Sequence, residues 1–243
     1  MTSPQHAPSI SFPLRLAIYI AGGIILALGI TLNTKTCLGV SPIVSVPYCI
    51  SVLAQFPLGI LTFLFYGFCI LLQFLLLRRE FEPIRLCQIF MSFVTSLFIQ
   101  VFDTILPVPE PLPFRLLLLT AAILLTGIGA AMTVAMQICP NPADGLAEVI
   151  GRKCGKTFGF GKNLFDLISL AISAAIGLIF RRQLIGIGVG TILAMIFTCL
   201  LYTSQAPLLR KDLFFIFSQP PFSFHSVFAS PSLHRKPETQ TGP

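Results

Sequence analysis

The chain has 243 residues, of which 55% are hydrophobic and 10% charged, with a mean hydropathy of +0.88. Soluble domains average about 25% charged residues, so a water-facing globule is excluded, and the aliphatic and aromatic content excludes disorder over most of the length. Sixteen Lys+Arg against nine Asp+Glu give a net charge of +7; these basic residues fall between long apolar runs, which points to orientation in a membrane, and no nucleic acid is expected as a partner.

Residues 1–13 carry three prolines and no charge, and read as a disordered tail. A membrane span needs about 20 apolar residues, and six stretches qualify: 14–33, 57–77, 84–106, 114–138, 162–180 and 184–202. The first is longer than a signal-peptide core of about 7–15 residues and lacks a small-x-small cleavage site, so it reads as a retained helix. Between the first and second spans lies Cys37-Leu38-Gly39-Val40-Ser41-Pro42, followed by an apolar stretch too short to cross. Between the fourth and fifth lies Cys139-Pro140-Asn141-Pro142-Ala143-Asp144-Gly145, followed by a more polar stretch. Proline suits the first turn of a helix, and Ser or Asn suits the position before it. Ser41-Pro42 and Asn141-Pro142 therefore predict two half-helices, at 41–54 and 142–156, whose N-termini point into the protein; the equal alternative is a pair of interfacial connectors, since irregular backbone is tolerated at depth only beside protein or water. Residues 204–243 form a Pro/Ser-rich tail, with the apolar run 213–217 lying on the membrane surface.

Six spans put twelve basic residues on one side: Arg15, Arg78, Arg79, Arg85, Arg152, Lys153, Lys156, Lys162, Arg210, Lys211, Arg235 and Lys236. Lys35, Arg115, Arg181 and Arg182 make four on the other. The positive-inside rule then places both termini in the cytoplasm of a cell (inner) membrane.

The chain matches itself at an offset of 100: Gly29 meets Gly129, Pro42 meets Pro142, Ile50 meets Ile150, Gly59 meets Gly159, and Leu64-Phe65 meets Leu164-Phe165. Arg78-Arg79 and Arg181-Arg182 follow after a three-residue slip. Residues 14–106 and 114–203 thus read as two repeats of three spans. An odd number of crossings inverts the second copy. The expected fold is an all-α membrane protein, six transmembrane helices in a three-plus-three inverted repeat. In transporters of that design, sites lie at broken helices where the copies meet.

Four segments carry a resemblance to a known family: Leu38-Gly39-Val40-Ser41-Pro42 after Gly29, Pro142-Ala143-Asp144-Gly145-Leu146, Lys162-Asn163-Leu164-Phe165-Asp166, and Gly186-Ile187-Gly188-Val189-Gly190-Thr191. With these the chain resembles the YczE/YyaS/YitT integral membrane proteins of bacteria, and is more similar to the YczE branch in size. It departs from them at Pro42-Ile43-Val44, where an acidic residue often follows the proline, and at Tyr202-Thr203-Ser204, where a glycine is expected. The resemblance implies a polytopic membrane fold and no particular activity.

Ionisable groups inside spans are costly and often functional. Lys162 and Asp166 share a helical face, which suits a buried ion pair, but their nearness to a helix end favours Lys162 snorkelling to the cytoplasmic surface with Asp166 beside it. Asp144 falls in the first turn of a half-helix, where a carboxylate complements the helix dipole; a cation or proton site is the sharper reading. The candidate substrate- or ion-binding residues are Asp144, Asn141, Asp166, Lys162, Ser41 and Asn33, with Pro42, Pro142, Gly39 and Gly145 as structural breaks. Asp103 reads as interfacial, and Glu148 as an i, i+4 partner of Arg152.

Gly151-Arg152-Lys153-Cys154-Gly155-Lys156-Thr157 is one residue short of a phosphate-binding loop and follows no strand. The glycines from Gly186 to Gly190, like Gly22, Gly23 and Ala27 in the first span and Gly127, Gly129 and Ala130 in the fourth, read as close-packing surfaces. Seven scattered cysteines without a C-x-x-C pair suggest neither a disulfide framework nor a zinc site. His6, His225 and His234 all lie in the tails. No metal, cofactor or enzymatic activity is expected, because the spans offer no nucleophile–base pair. The expected function is a transporter-like protein for a small solute or ion. The alternative is a non-transporting accessory that docks a cytoplasmic or membrane partner through its basic 152–162 loop. The bilayer is the expected partner, and homo-oligomerisation stays open.

Overall fold

The computed structural model of the chain describes residues 11–136, 138–193 and 195. Between residues 12 and 181 the α-helices are, in order, α1 Phe12–Lys35, α2 Pro42–Ala54, α3 Leu58–Leu77, α4 Cys87–Ile105, α5 Leu112–Ala135, α6 Pro142–Lys153 and α7 Phe158–Arg181. Short 3₁₀ turns at Arg78–Glu80 and Pro83–Leu86 join α3 to α4. Five of the helices, all but α2 and α6, are long and apolar enough to cross a membrane. The 24 residues of α1 reach about 36 Å at about 1.5 Å per residue, more than a hydrocarbon core of about 30 Å.

The side chains are arranged for lipid. Phe68, Phe74, Phe90, Phe93, Leu117 and Ile179 are exposed, whereas Thr62, Gln73, Gln88, Ser92, Ser169 and Ser173 are buried. In a bilayer an outward phenylalanine costs nothing, while polar groups must find partners inside.

The two longest-range features position everything else. Helices α1 and α5 cross antiparallel: Arg15 donates to the carbonyl of Met136 at 2.6 Å, and the Tyr19 hydroxyl to that of Cys139 at 3.0 Å. At the crossing a Cβ on Gly29 would come 2.5 Å from the Thr126 nitrogen, and one on Gly129 would come 2.5 Å from the Leu26 nitrogen. The backbones touch there, as the small residues predict. The half-helices then interlock with two spans: α2 packs on α3 and α7, and α6 packs on α7 and α3.

Several boundaries depart from the sequence expectation. Pro13 belongs to α1 and not to a tail. α6 ends at Lys153, three residues early, because Gly155 takes a positive φ of 64°. α7 begins at Phe158, so Lys162 lies more than a turn inside it. The sixth span does not begin at Leu184: residues 184–188 are non-helical, and helix resumes at 189–193. The cause is a backbone clamp. Val40 N–H donates to Gly186 at 2.7 Å, and Gly190 N–H donates to Leu38 at 2.9 Å. A Cβ on Gly188 would meet the Leu38 carbonyl, so these glycines seat a loop rather than a second helix. The remainder of the expected sixth span, residues 1–10 and the tail 204–243 lie outside the described residues.

Candidate functional site

Both half-helices open on a proline, Pro42 and Pro142, with Ser41 and Asn141 in extended conformation just before. Proline has no N–H to leave orphaned in a first turn, and its fixed φ pre-forms the helix. The first turns are buried: Pro42 to Ser45 in α2, Pro142 to Gly145 in α6. Neither Ser41 nor Asn141 makes the expected side-chain capping hydrogen bond.

The first turn of α6 meets α7 and α3. Gly161 of α7 has no room for a Cβ against the Ala147 carbonyl, and this close approach brings the second turn of α7 to the start of α6. Lys162 Nζ lies 2.8 Å from Asp166 Oδ1 and 3.7 Å from Asp144 Oδ1. It also sits 5.8 Å from the centre of the Phe165 ring. All three charged side chains are at most 5% exposed. The expectation that Lys162 snorkels to the surface is therefore wrong. With α7 starting at Phe158, its ammonium would have to pass Gly161 and α6 to reach water, and two carboxylates hold it inside.

Around this cluster lie uncharged polar groups. Tyr66 of α3 is wholly buried, with its hydroxyl facing Asn141. Gln73 of α3 and Gln88 of α4 pair amide to amide, at 3.0 and 3.3 Å, and Gln73 Nε2 also donates to the Pro142 carbonyl at 3.0 Å. A Cβ on Gly145 would come 2.9 Å from both amides, so Gly145 is a helical residue making room for them, not a break. Gly39 is a break, at φ 130°.

Ion pairs cover the outer end of this arrangement. Arg85 reaches Glu148 at 3.7 Å, while Glu80 reaches Arg152 and Lys153, each at 3.5 Å. Glu148 thus pairs with Arg85 across the fold and not with Arg152, because α6 presents the two to different neighbours. Asp103 pairs with Lys35 at 2.9 Å in a partly exposed position, in keeping with an interfacial residue.

Of the six candidate binding residues, Asp144, Asn141, Asp166 and Lys162 come together. Ser41 and Asn33 are buried as well, Ser41 ahead of the first turn of α2 and Asn33 near the end of α1. Tyr66, Gln73 and Gln88 escaped the sequence reading. The offset of 100 would have found Tyr66, which it aligns with Asp166, while the glutamines are amides standing alone in apolar runs. The near-miss phosphate loop begins in the last turn of α6, with no strand among the described residues. No group of metal-ligating side chains occurs among the described residues.

Helices long enough to span, a lipid-adapted exterior and a buried charge cluster at a broken helix define a multi-pass, all-helical membrane protein. The chain belongs to a family of unknown function, DUF6198, whose model matches residues 13–218. No curated protein and no solved structure matches it.

Proposed function

We propose that the protein is transporter-like, moving a small solute or ion by the rocking of two inverted three-pass halves in the cell membrane, with both termini cytoplasmic. The observation that carries this reading is Lys162, buried between Asp144 of α6 and Asp166 of α7 at the mouth of a half-helix. Charged groups at such depth are expensive in lipid and mark pathways for ions and protons. Half-helix ends inside a bundle are a recurring way to build such sites.

The packing supports the inverted repeat. Exchanging α1 with α5, α2 with α6 and α3 with α7 turns the α2–α3 packing into α6–α7 and the α2–α7 packing into α3–α6, and leaves the α1–α5 crossing as it is; the counterpart of α4 lies largely outside the described residues. Helix bounds follow the same offset, with α1 from Phe12 and α5 from Leu112, and α3 from Leu58 and α7 from Phe158. The donors Ser173 and Gln73 correspond at that offset, and each donates to a carbonyl in the first turn of the opposite half-helix, Ser45 at 3.1 Å and Pro142 at 3.0 Å, three positions apart in register. Kinship with the YczE/YyaS/YitT proteins belongs to the same proposal. Its support is that the shared motifs meet in pairs, 38–40 against 186–190 and 142–146 against 162–166.

The accessory alternative has less basic surface to dock with, since Lys162 is buried, and Arg152 and Lys153 face Glu80. Uptake or efflux in vesicles should collapse in Asp144→Asn while the protein still folds. Unchanged transport would remove Asp144 from the mechanism.

A further inference from the structure

Where α3 gives way to α4 and α6 to α7, the bundle ends in a cationic surface. Residues 78–86 and 148–156 carry six cations against three carboxylates. Glu148 takes Arg85, and Glu80 takes Arg152 and Lys153. Arg78 and Arg79 are exposed and join no ion pair among the described residues. The 20 residues of α3 rise about 30 Å, the thickness of a hydrocarbon core, so a residue just past its end stands at headgroup level. Phe74, Leu75 and Leu76 are exposed in the turn before them. At Arg78 the backbone takes a φ of 47°, and Phe81 packs edge-on against Phe74 with ring centres 5.3 Å apart. That contact and the Glu80 ion pairs hold the turn, with both arginines, beside the lipid-facing side of α3.

We propose that Arg78 and Arg79, with Phe74 and Phe81 beside them, form a docking surface for the headgroup of an anionic phospholipid. The proposal goes beyond the transporter reading and does not depend on it. Charge complementarity chooses a phosphate. A guanidinium pairs with one through two parallel hydrogen bonds, and two unpaired arginines side by side favour a headgroup of net negative charge. A zwitterionic headgroup brings its own cation, which these arginines repel. The apolar neighbours choose a lipid over a free anion, because exposed phenylalanines offer acyl chains a surface that inorganic phosphate cannot use. An arginine at a helix C-terminus also complements the helix dipole, and that role alone needs no lipid.

The test is the unfolding midpoint of the full-length protein in an uncharged detergent, titrated with phosphatidylglycerol, phosphatidylcholine or inorganic phosphate at constant ionic strength. A ligand that binds only the folded state raises that midpoint saturably. The surface predicts such a rise with phosphatidylglycerol and none with the other two. Arg78→Gln/Arg79→Gln should weaken the apparent affinity about tenfold or more, since each cation near an anionic surface adds its own share of the attraction. Arg181→Gln/Arg182→Gln removes the same charge at the far end of α7 and should leave that affinity within about twofold. Equal responses to the two phospholipids, or a response that inorganic phosphate reproduces, would overturn the surface. So would an undiminished phosphatidylglycerol response in the first variant, the outcome of a dipole role alone, or an equal loss in both variants, the outcome of net charge alone.

Discussion

At the scale of single residues, Lys162 decides how the interior is held. A lone lysine in a bilayer interior would snorkel or be excluded. Here one ammonium is shared between two carboxylates from different helices, so each charge depends on the others. Removing one member of a buried pair leaves an uncompensated charge, which costs about 3–5 kcal/mol. Lys162→Met should destabilise the fold by about that much in denaturant titrations of the detergent-solubilised protein. Adding Asp166→Leu to that variant should restore a large part of the loss, since apolar replacement of a buried pair is often neutral. Sequence reasoning found the three charges but not their meeting. Spacing shows that Lys162 and Asp166 share a face, yet nothing local says that α6 folds back onto that face with Asp144 in its first turn. Tyr66 was harder still, because a tyrosine in an apolar span looks like packing until the repeat aligns it with Asp166.

At the scale of elements, the half-helix α6, like α2, is held between α3 and α7. Gln73 of α3, itself paired with Gln88 of α4, donates to the Pro142 carbonyl, and the ion pairs at Arg85 and Glu80 brace the other end of α6. These two fastenings differ in strength. Gln73→Leu orphans a buried carbonyl and part of the amide pair, and should cost about 1–3 kcal/mol by the same titration. Glu80 is mostly exposed at 63%, and surface pairs contribute about 0–1 kcal/mol. Glu80→Gln should therefore leave stability nearly unchanged while removing the tie to Arg152 and Lys153. The half-helices themselves were legible, because Ser41-Pro42 and Asn141-Pro142 are local signals with a local cause. The non-helical stretch at 184–188 was not. Its residues are apolar enough for a span, but Gly186 takes a positive φ of 73° and accepts from Val40 N–H across the fold, a pairing that spacing alone does not reveal.

At the scale of the whole molecule, the close α1–α5 crossing is the contact on which the proposed arrangement of two halves turns. Gly29 and Gly129 admit no side chain there, each facing the other helix's backbone at its counterpart position. Gly129→Leu should separate the helices and destabilise the fold by about 1–3 kcal/mol, the usual cost of overpacking. Thermal unfolding of that variant checks the magnitude. The same antiparallel crossing puts the break after α1 and the break after α5 at opposite ends of the bundle. Cys37, exposed in the first break, lies by the clamp beyond the C-terminus of α7, whereas exposed Cys154 precedes the N-terminus of that helix. Cys139 is buried against the Tyr19 hydroxyl.

Labelling of single-cysteine variants with a membrane-impermeant maleimide tests the inverted arrangement most directly. The account predicts that Cys37 reacts in intact cells, Cys154 only in inverted vesicles, and Cys139 in neither. Cys37 and Cys154 reacting from the same side of the membrane would contradict it.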